Sequence, residues 1–123
     1  MGGKGSGKKI RDPDSNREPK RQFAVPRKLG GGLVRMSINR DMAGVLHGYS
    51  FAYINPRICA VDNGRVLGYD NRYGYHHRHF MGTRTAVSFT SVEELWDQFE
   101  TEWRAIAMNF VALLNFRWVR HAG

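Results

Sequence analysis

The pair Asn63-Gly64 constrains the fold of this chain more than any other two residues. It stands between two short apolar runs, Ile58-Cys59-Ala60-Val61 and Val66-Leu67-Gly68-Tyr69. Asn-Gly is favoured where both central residues of a type I′ turn need positive φ, so the spacing predicts a tight hairpin. Asp62 and Arg65 would then face each other across the turn. The second arm runs directly into Asp70, which puts the following segment at the end of a rigid strand.

Further elements follow from periodicity. Leu33 to Asn39 alternates, with Val34, Met36 and Ile38 on one face, as a half-buried strand does. His47 to Ile54 alternates again through Tyr49, Phe51 and Tyr53, and Pro56 ends it. Thr85 to Thr90 reads as another short strand. Ser91-Val92-Glu93-Glu94 is a capping box opening a helix whose Val92, Leu95/Trp96, Phe99, Trp103, Ile106 and Phe110 form one apolar stripe. From Ala105 to Leu114 nearly every residue is apolar, more than one stripe needs. Met108, Leu113, Leu114 and Phe116 therefore predict a homodimer or partner contact through the C-terminal helix, or else burial against the chain's own sheet. The fold expected is α+β: an antiparallel sheet of about four to five strands packed by a long C-terminal amphipathic helix. At 123 residues the chain has room for one such domain.

Charge divides the chain. Residues 1–28 hold nine Lys/Arg against three Asp/Glu, while the remainder holds ten against eight, out of a total of +8. Residues 1–32 are read as a basic, Gly-rich flexible arm suited to polyanions, with the compact domain at 33–123 and Gly30-Gly31-Gly32 as the hinge. Gly2-Gly3-Lys4-Gly5-Ser6-Gly7-Lys8 fits the spacing of a phosphate-binding loop, but Lys9 replaces the Ser/Thr that holds Mg²⁺ and no strand precedes it. Met1-Gly2…Ser6 also fits the myristoylation pattern, which matters only in a eukaryotic host. A single cysteine, Cys59, excludes an intramolecular disulfide and reads as a core residue in a reducing, cytoplasmic setting. No apolar run is long enough to span a bilayer, and the N-terminus has no signal-like apolar region, so no membrane association is expected. After Lys28 every side-chain cation apart from histidine is an arginine, the residue suited to gripping phosphate or carboxylate with a planar fork.

The chemistry concentrates in Tyr69-Asp70-Asn71-Arg72-Tyr73-Gly74-Tyr75-His76-His77-Arg78-His79. In extended backbone, His77 and His79 share one side and Arg78 takes the other. Paired imidazoles permit general acid–base catalysis of phosphodiester cleavage, with an arginine stabilising the phosphorane oxygens, Asp70 fixing a tautomer and tyrosines stacking a base. They equally permit a divalent metal site, with Asp70 or His76 as a further ligand. A polar loop whose histidines merely hydrogen-bond the backbone remains the third reading. His47 and His121 stand alone and read as structural or exposed.

Val66-Leu67-Gly68-Tyr69-Asp70-Asn71, Gly74, His77-Arg78-His79, Phe89 and Ser91-Val92-Glu93-Glu94-Leu95…Phe99 together resemble the TumE family of toxins from prokaryotic type II toxin–antitoxin pairs. The likeness spans roughly residues 58 to 106, and His76 stands where family members often carry Asp. The resemblance implies a growth-inhibiting endoribonuclease, acting on RNA and neutralised by a cognate helix-turn-helix antitoxin. On it, Asp70, His77, Arg78 and His79 are the expected catalytic set. Tyr69, Asn71, Arg72, Tyr73, Tyr75 and His76 are the expected substrate contacts. No cofactor is required if the two histidines act as acid and base. The alternatives are a non-catalytic RNA- or DNA-binding module, and a metal-dependent nuclease or nucleotidyl-transferring enzyme using the same cluster.

Overall fold

The computed structural model describes residues 18–122, with side chains from 20 to 117. The phosphate-loop and myristoylation matches and the side chain of His121 lie outside the described residues. Six strands form one antiparallel sheet in chain order: β1 (Glu18–Ala24), β2 (Leu33–Arg40), β3 (Leu46–Ile54), β4 (Arg65–Asp70), β5 (His77–Phe80) and β6 (Thr83–Ala86). A single long helix, α1 (Val92–Ala122), then packs over one face. This is an α+β fold, with a strand more at its edges than expected.

The alternation in β2 and β3 points Val34, Ile38, Tyr49, Phe51 and Tyr53 inward, where they meet Leu67 and Tyr69 from β4. From α1, Val92, Leu95, Phe99, Trp103 and Ala107 close the core. Phe51 sits edge-on to Trp96 and tilted against Phe99, and Tyr53 leans on Trp103, so large rings fill most of the space between sheet and helix. Ser91 caps the helix by accepting from the Glu94 N–H at 3.1 Å. Past Ala107 the stripe loses its sheet, and Met108, Leu113 and Phe116 are more than half exposed. Burial against the chain's own sheet is thereby excluded for these side chains. Among the described residues, no helix is long and apolar enough to cross a membrane.

Three local expectations are corrected. Ile58-Cys59-Ala60-Val61 is not a strand, and β4 pairs with β3 instead, Phe51 opposite Tyr69 and Ser50 opposite Asp70. The longer partner wins because it brings three aromatic side chains to the core, whereas the segment after Pro56 is wound around Asn55. That buried amide donates to the Gly30 carbonyl at 2.9 Å, and its oxygen accepts from the Arg57 N–H at 3.1 Å. Asn63-Gly64 does take positive φ, 56° and 83°, but within a single turn leading into β4. The two-residue hairpin lies at Met81-Gly82, both at positive φ, between the paired Phe80 and Thr83. Consequently β6 covers Thr83–Ala86 rather than Thr85–Thr90.

Residues 18–32, expected to belong to the arm, are part of the sheet layer. Phe23 pairs with Val34 in register and its ring approaches Trp103, while Val25 is buried. Gly30-Gly31-Gly32 is a docked turn, not a hinge. A Cβ on Gly32 would lie 2.7 Å from the Ile54 carbonyl, and one on Gly30 would lie 2.7 Å from the Ala107 Cβ. Only glycine permits this approach at positive φ.

Candidate metal-capable centre on the helix-free face

Because β4 ends in Asp70 and pairs antiparallel with β5, Asp70 lies opposite His77, and Gly68 opposite His79. Period-two alternation then puts Asp70, His77 and His79 together on the face away from α1. Gly68 contributes no side chain, and that gap admits the Arg65 side chain, whose Cδ lies 2.9 Å from where a Gly68 Cβ would stand.

The result is a compact cluster. Asp70 Oδ1 lies 2.6 Å from His77 Nε2, and Oδ2 lies 3.1 Å from His79 Nε2. The Arg72 N–H donates to Asp70 Oδ1 at 3.0 Å. His77 is only 1% exposed, and its Nδ1 meets the Tyr75 carbonyl at 3.1 Å. A carbonyl only accepts, so Nδ1 carries a proton and Nε2 faces the carboxylate. At 2.6 Å a proton must lie between Nε2 and Oδ1. His79 is set differently. Arg65 Nη2 lies 3.1 Å from its Nδ1; a guanidinium only donates, so Nδ1 accepts and Nε2–H points at Asp70. Burial, then the Arg65 charge, hold the His79 imidazole below its ordinary pKa, against an opposing pull from Asp70. Arg65 is itself fixed by Asp62 through Nε at 2.8 Å and Nη2 at 3.2 Å, the cross-turn pair expected from the sequence.

Asp70, His77 and His79 each offer one ligand atom, and the three lie within 4.8 Å of one another. Two imidazoles and a carboxylate make a donor set suited to Zn²⁺ or an octahedral divalent ion. Zinc with bonds of about 2.0–2.1 Å spaces its ligands by about 3.4 Å, so the His77–Asp70 contact would open by about 0.8 Å and the His79–Asp70 contact by about 0.3 Å. The His77 Nδ1–H to the Tyr75 carbonyl is the outer hydrogen bond that a metal-bound imidazole needs. The His79–Arg65 contact is the opposite arrangement: binding through His79 Nε2 would move the proton to Nδ1 and turn Arg65 away. The cluster opens into a cavity of about 200 Å³, lined by Arg65, Arg84, Tyr73 and the three ligand residues.

The remaining sequence candidates separate by face. Arg72, Tyr73 and Tyr75 stay beside the cluster; the Tyr75 ring lies 4.8 Å from that of His77. Arg78 does not join it. Opposite Tyr69 on the helix face, it bonds Glu102 at 3.2 Å through Nη2 and the Tyr69 hydroxyl at 3.2 Å through Nε. Burial alone would lower the Arg78 pKa, but the Glu102 carboxylate outweighs it and the pKa is raised. Tyr69 donates to Glu102 at 2.5 Å and accepts from Gln98, and burial with the nearby carboxylate pushes its pKa up to about 12. Asn71 ties strand ends together by accepting from the Tyr49 N–H at 3.1 Å. His76 stacks on Phe89 at 3.9 Å and meets the Tyr49 hydroxyl at 2.8 Å. Burial, then the neighbouring His77, lower its pKa. Arg78, Tyr69, Asn71 and His76 therefore make their contacts within the scaffold and not in the cluster. Arg65 and Arg84 were missed as site residues. The Met81-Gly82 turn was the missing signal for Arg84, since it sets Arg84 opposite His79.

His47 is exposed and pairs with Asp41 at 2.8 Å, and Cys59 lies partly buried against the core in a loop. No family model, curated protein or solved structure matches the chain. What the geometry carries is thus a buried His/His/Asp cluster beside arginines, capable of binding a metal and of catalysis in general terms.

Proposed function

We propose that this protein is a metal-dependent nuclease that cleaves RNA at the Asp70–His77–His79 centre. The observation that carries the reading is the convergence of those three ligand atoms within 4.8 Å on the floor of a cavity lined by Arg65 and Arg84. When bound, a divalent ion supplies Lewis acidity and a nucleophilic water at neutral pH. The chain's own residues do the rest. His77 would offer Nε2 to the ion, its ring held by the Nδ1–H donated to the Tyr75 carbonyl. Arg84, exposed across the hairpin from His79, meets the phosphate oxygens, and Arg65 keeps the carboxylate and His79 in register. The resemblance to TumE toxins supports RNA as substrate, with growth arrest relieved by a helix-turn-helix antitoxin as the biological setting.

One observation favours a second reading, metal-free acid–base cleavage. Asp70 lies between the two imidazoles, and a His79 imidazolium, with Arg65 turned from Nδ1, would be the acid that protonates a leaving oxygen. Mapping RNA ends after incubation with the purified chain separates the two. The metal-dependent reading predicts new ends that EDTA abolishes and Mn²⁺ or Zn²⁺ restores. Cleavage insensitive to chelation would establish the second reading. RNA retarded in a gel without new ends under any condition would leave only a binding module.

A further inference from the structure

We infer that a single-stranded polynucleotide lies across the helix-free face of the sheet, from the cluster at β4–β6 to Lys20 and Arg35 at β1–β2. The inference deepens the nuclease reading, on which it rests for its biological sense, by naming the track that the substrate follows.

The register fixes which side chains share this face. Arg35 and Ser37 from β2 continue into Ser50 and Ala52 of β3, then Gly68 and Asp70 of β4. At β2 and β3 the face is floored by Ser37, Ser50 and Ala52, small residues that let a flat ligand approach the backbone, while the Arg65 side chain covers Gly68. The floor is concave throughout. The cluster cavity shares Ser50, Asp70 and Arg72 with a second depression, which shares Lys20, Ser37 and Ser50 with a third that reaches Arg35. The trough runs across the strands.

Its charge is one-sided. Lys20, Arg35, Arg72 and Arg84 are exposed, and none has an ion-pair partner among the described residues. Of the described residues lining the trough, Asp70 is the one carboxylate, and it is occupied by the histidines. Single cations spread along the trough, on β1, β2, the turn after β4 and β6, suit a repeating anion better than one compact anion. From β6 to β1 there are five interstrand steps of about 4.8 Å, roughly 24 Å. That length spans up to about seven phosphates at the stacked spacing of about 3.4 Å, and fewer in an extended strand.

Two features select one strand over a duplex. His77 and its partners lie at the bottom of a cavity, where only a backbone free to bend can deliver a phosphate. Tyr73, at the rim, is 75% exposed and held at φ 68°, a left-handed conformation that a bulky residue adopts only under constraint. Gly74 follows at φ 84°. This turn presents an open aromatic face beside the cluster, where an unpaired base can stack.

The test measures binding of a fluorescein-labelled eight-nucleotide single strand in EDTA, across a salt series, so that no turnover is needed. Four phosphate contacts predict a log–log salt slope near −2.8, about −0.7 per contact. Lys20→Ala with Arg35→Ala removes two contacts, giving a slope near −1.4 and roughly 25-fold weaker binding at 0.1 M salt. Arg104→Ala, a cation on α1, leaves both quantities unchanged. Tyr73→Ala weakens binding without altering the slope. A double variant that binds like wild type, or Arg104→Ala weakening binding equally, would overturn the track. Tighter binding of the matched duplex would overturn its single-stranded occupant. Absence of cleavage would defeat the nuclease reading alone, since these affinities are read without catalysis.

Discussion

Arg78→Met separates a catalytic from a scaffolding role for the central residue of the His-Arg-His motif. Arg78 donates to Glu102 at 3.2 Å and to the Tyr69 hydroxyl at 3.2 Å, with its side chain 27% exposed and that of Glu102 29%. Hydrogen bonds to charged groups contribute about 1.5–3 kcal/mol, and screening at a quarter exposure brings the pair toward the lower end. Methionine keeps the apolar stem against Phe80, over whose ring the guanidinium lies at 4.9 Å. The variant should thus lose about 1.5–2 kcal/mol, or some 6–15 °C in Tm for a domain of this size. Glu102→Gln alone should cost somewhat less, and the double variant less than the sum by about 1 kcal/mol, because both act on one network. Urea denaturation of the four proteins measures the cycle, and RNA cleavage at a temperature where all are folded measures the chemistry. Because Arg78 lies on the opposite face from Asp70, His77 and His79, folded Arg78→Met should cleave like wild type. A variant as stable as wild type that has lost cleavage would refute this assignment and return Arg78 to the catalytic set.

Two further outcomes follow from the scaffold. His79 and His76 both have pKa values lowered by folding. Their unfolded forms bind protons first, so stability is full above the unfolded value of about 6.5 and falls as pH drops from there toward the folded values. Urea midpoints at pH 7.5 and 5.5 should show the loss, smaller in Arg65→Met; a midpoint that rises on acidification would contradict it. Gly32→Ala should cost about 2–4 kcal/mol, because strain at φ 95° adds to a 2.7 Å clash with the Ile54 carbonyl. Gly74→Ala, at φ 84° with nothing within 4 Å of the new Cβ, should cost only about 1 kcal/mol. Equal losses would show that close approach is not what Gly32 provides.

The parts of the fold written in local periodicity could be read directly. Val34-Met36-Ile38 and Tyr49-Phe51-Tyr53 alternate because one sheet face is core, and Ser91 announces the helix by its own hydrogen bond. The edge strand β1 escaped notice because Glu-Pro-Lys-Arg-Gln precedes its inward Phe23, and a polar edge gives no alternation to read. Ile58 to Val61 reads as a strand by composition alone, yet Asn55 organises that segment through its contact to Gly30, distant in sequence. The candidate site was legible in its ligand residues, since H-x-H in a strand shares a face. Its arginines were not. Arg78 was nearest in sequence but lies across the sheet, while Arg65 and Arg84 reach His79 only through the pairing of β4, β5 and β6.

The most direct test of the account is a titration of the ¹⁵N-labelled protein with Zn²⁺, following the imidazole nitrogens of each histidine. The account predicts that one equivalent moves the Nε2 resonances of His77 and His79 together, releases a proton, and leaves His47 and His76 unchanged, with the response lost in Asp70→Ala. Resonances of His77 and His79 that stay fixed while zinc binds elsewhere would contradict a single metal-capable centre on the helix-free face.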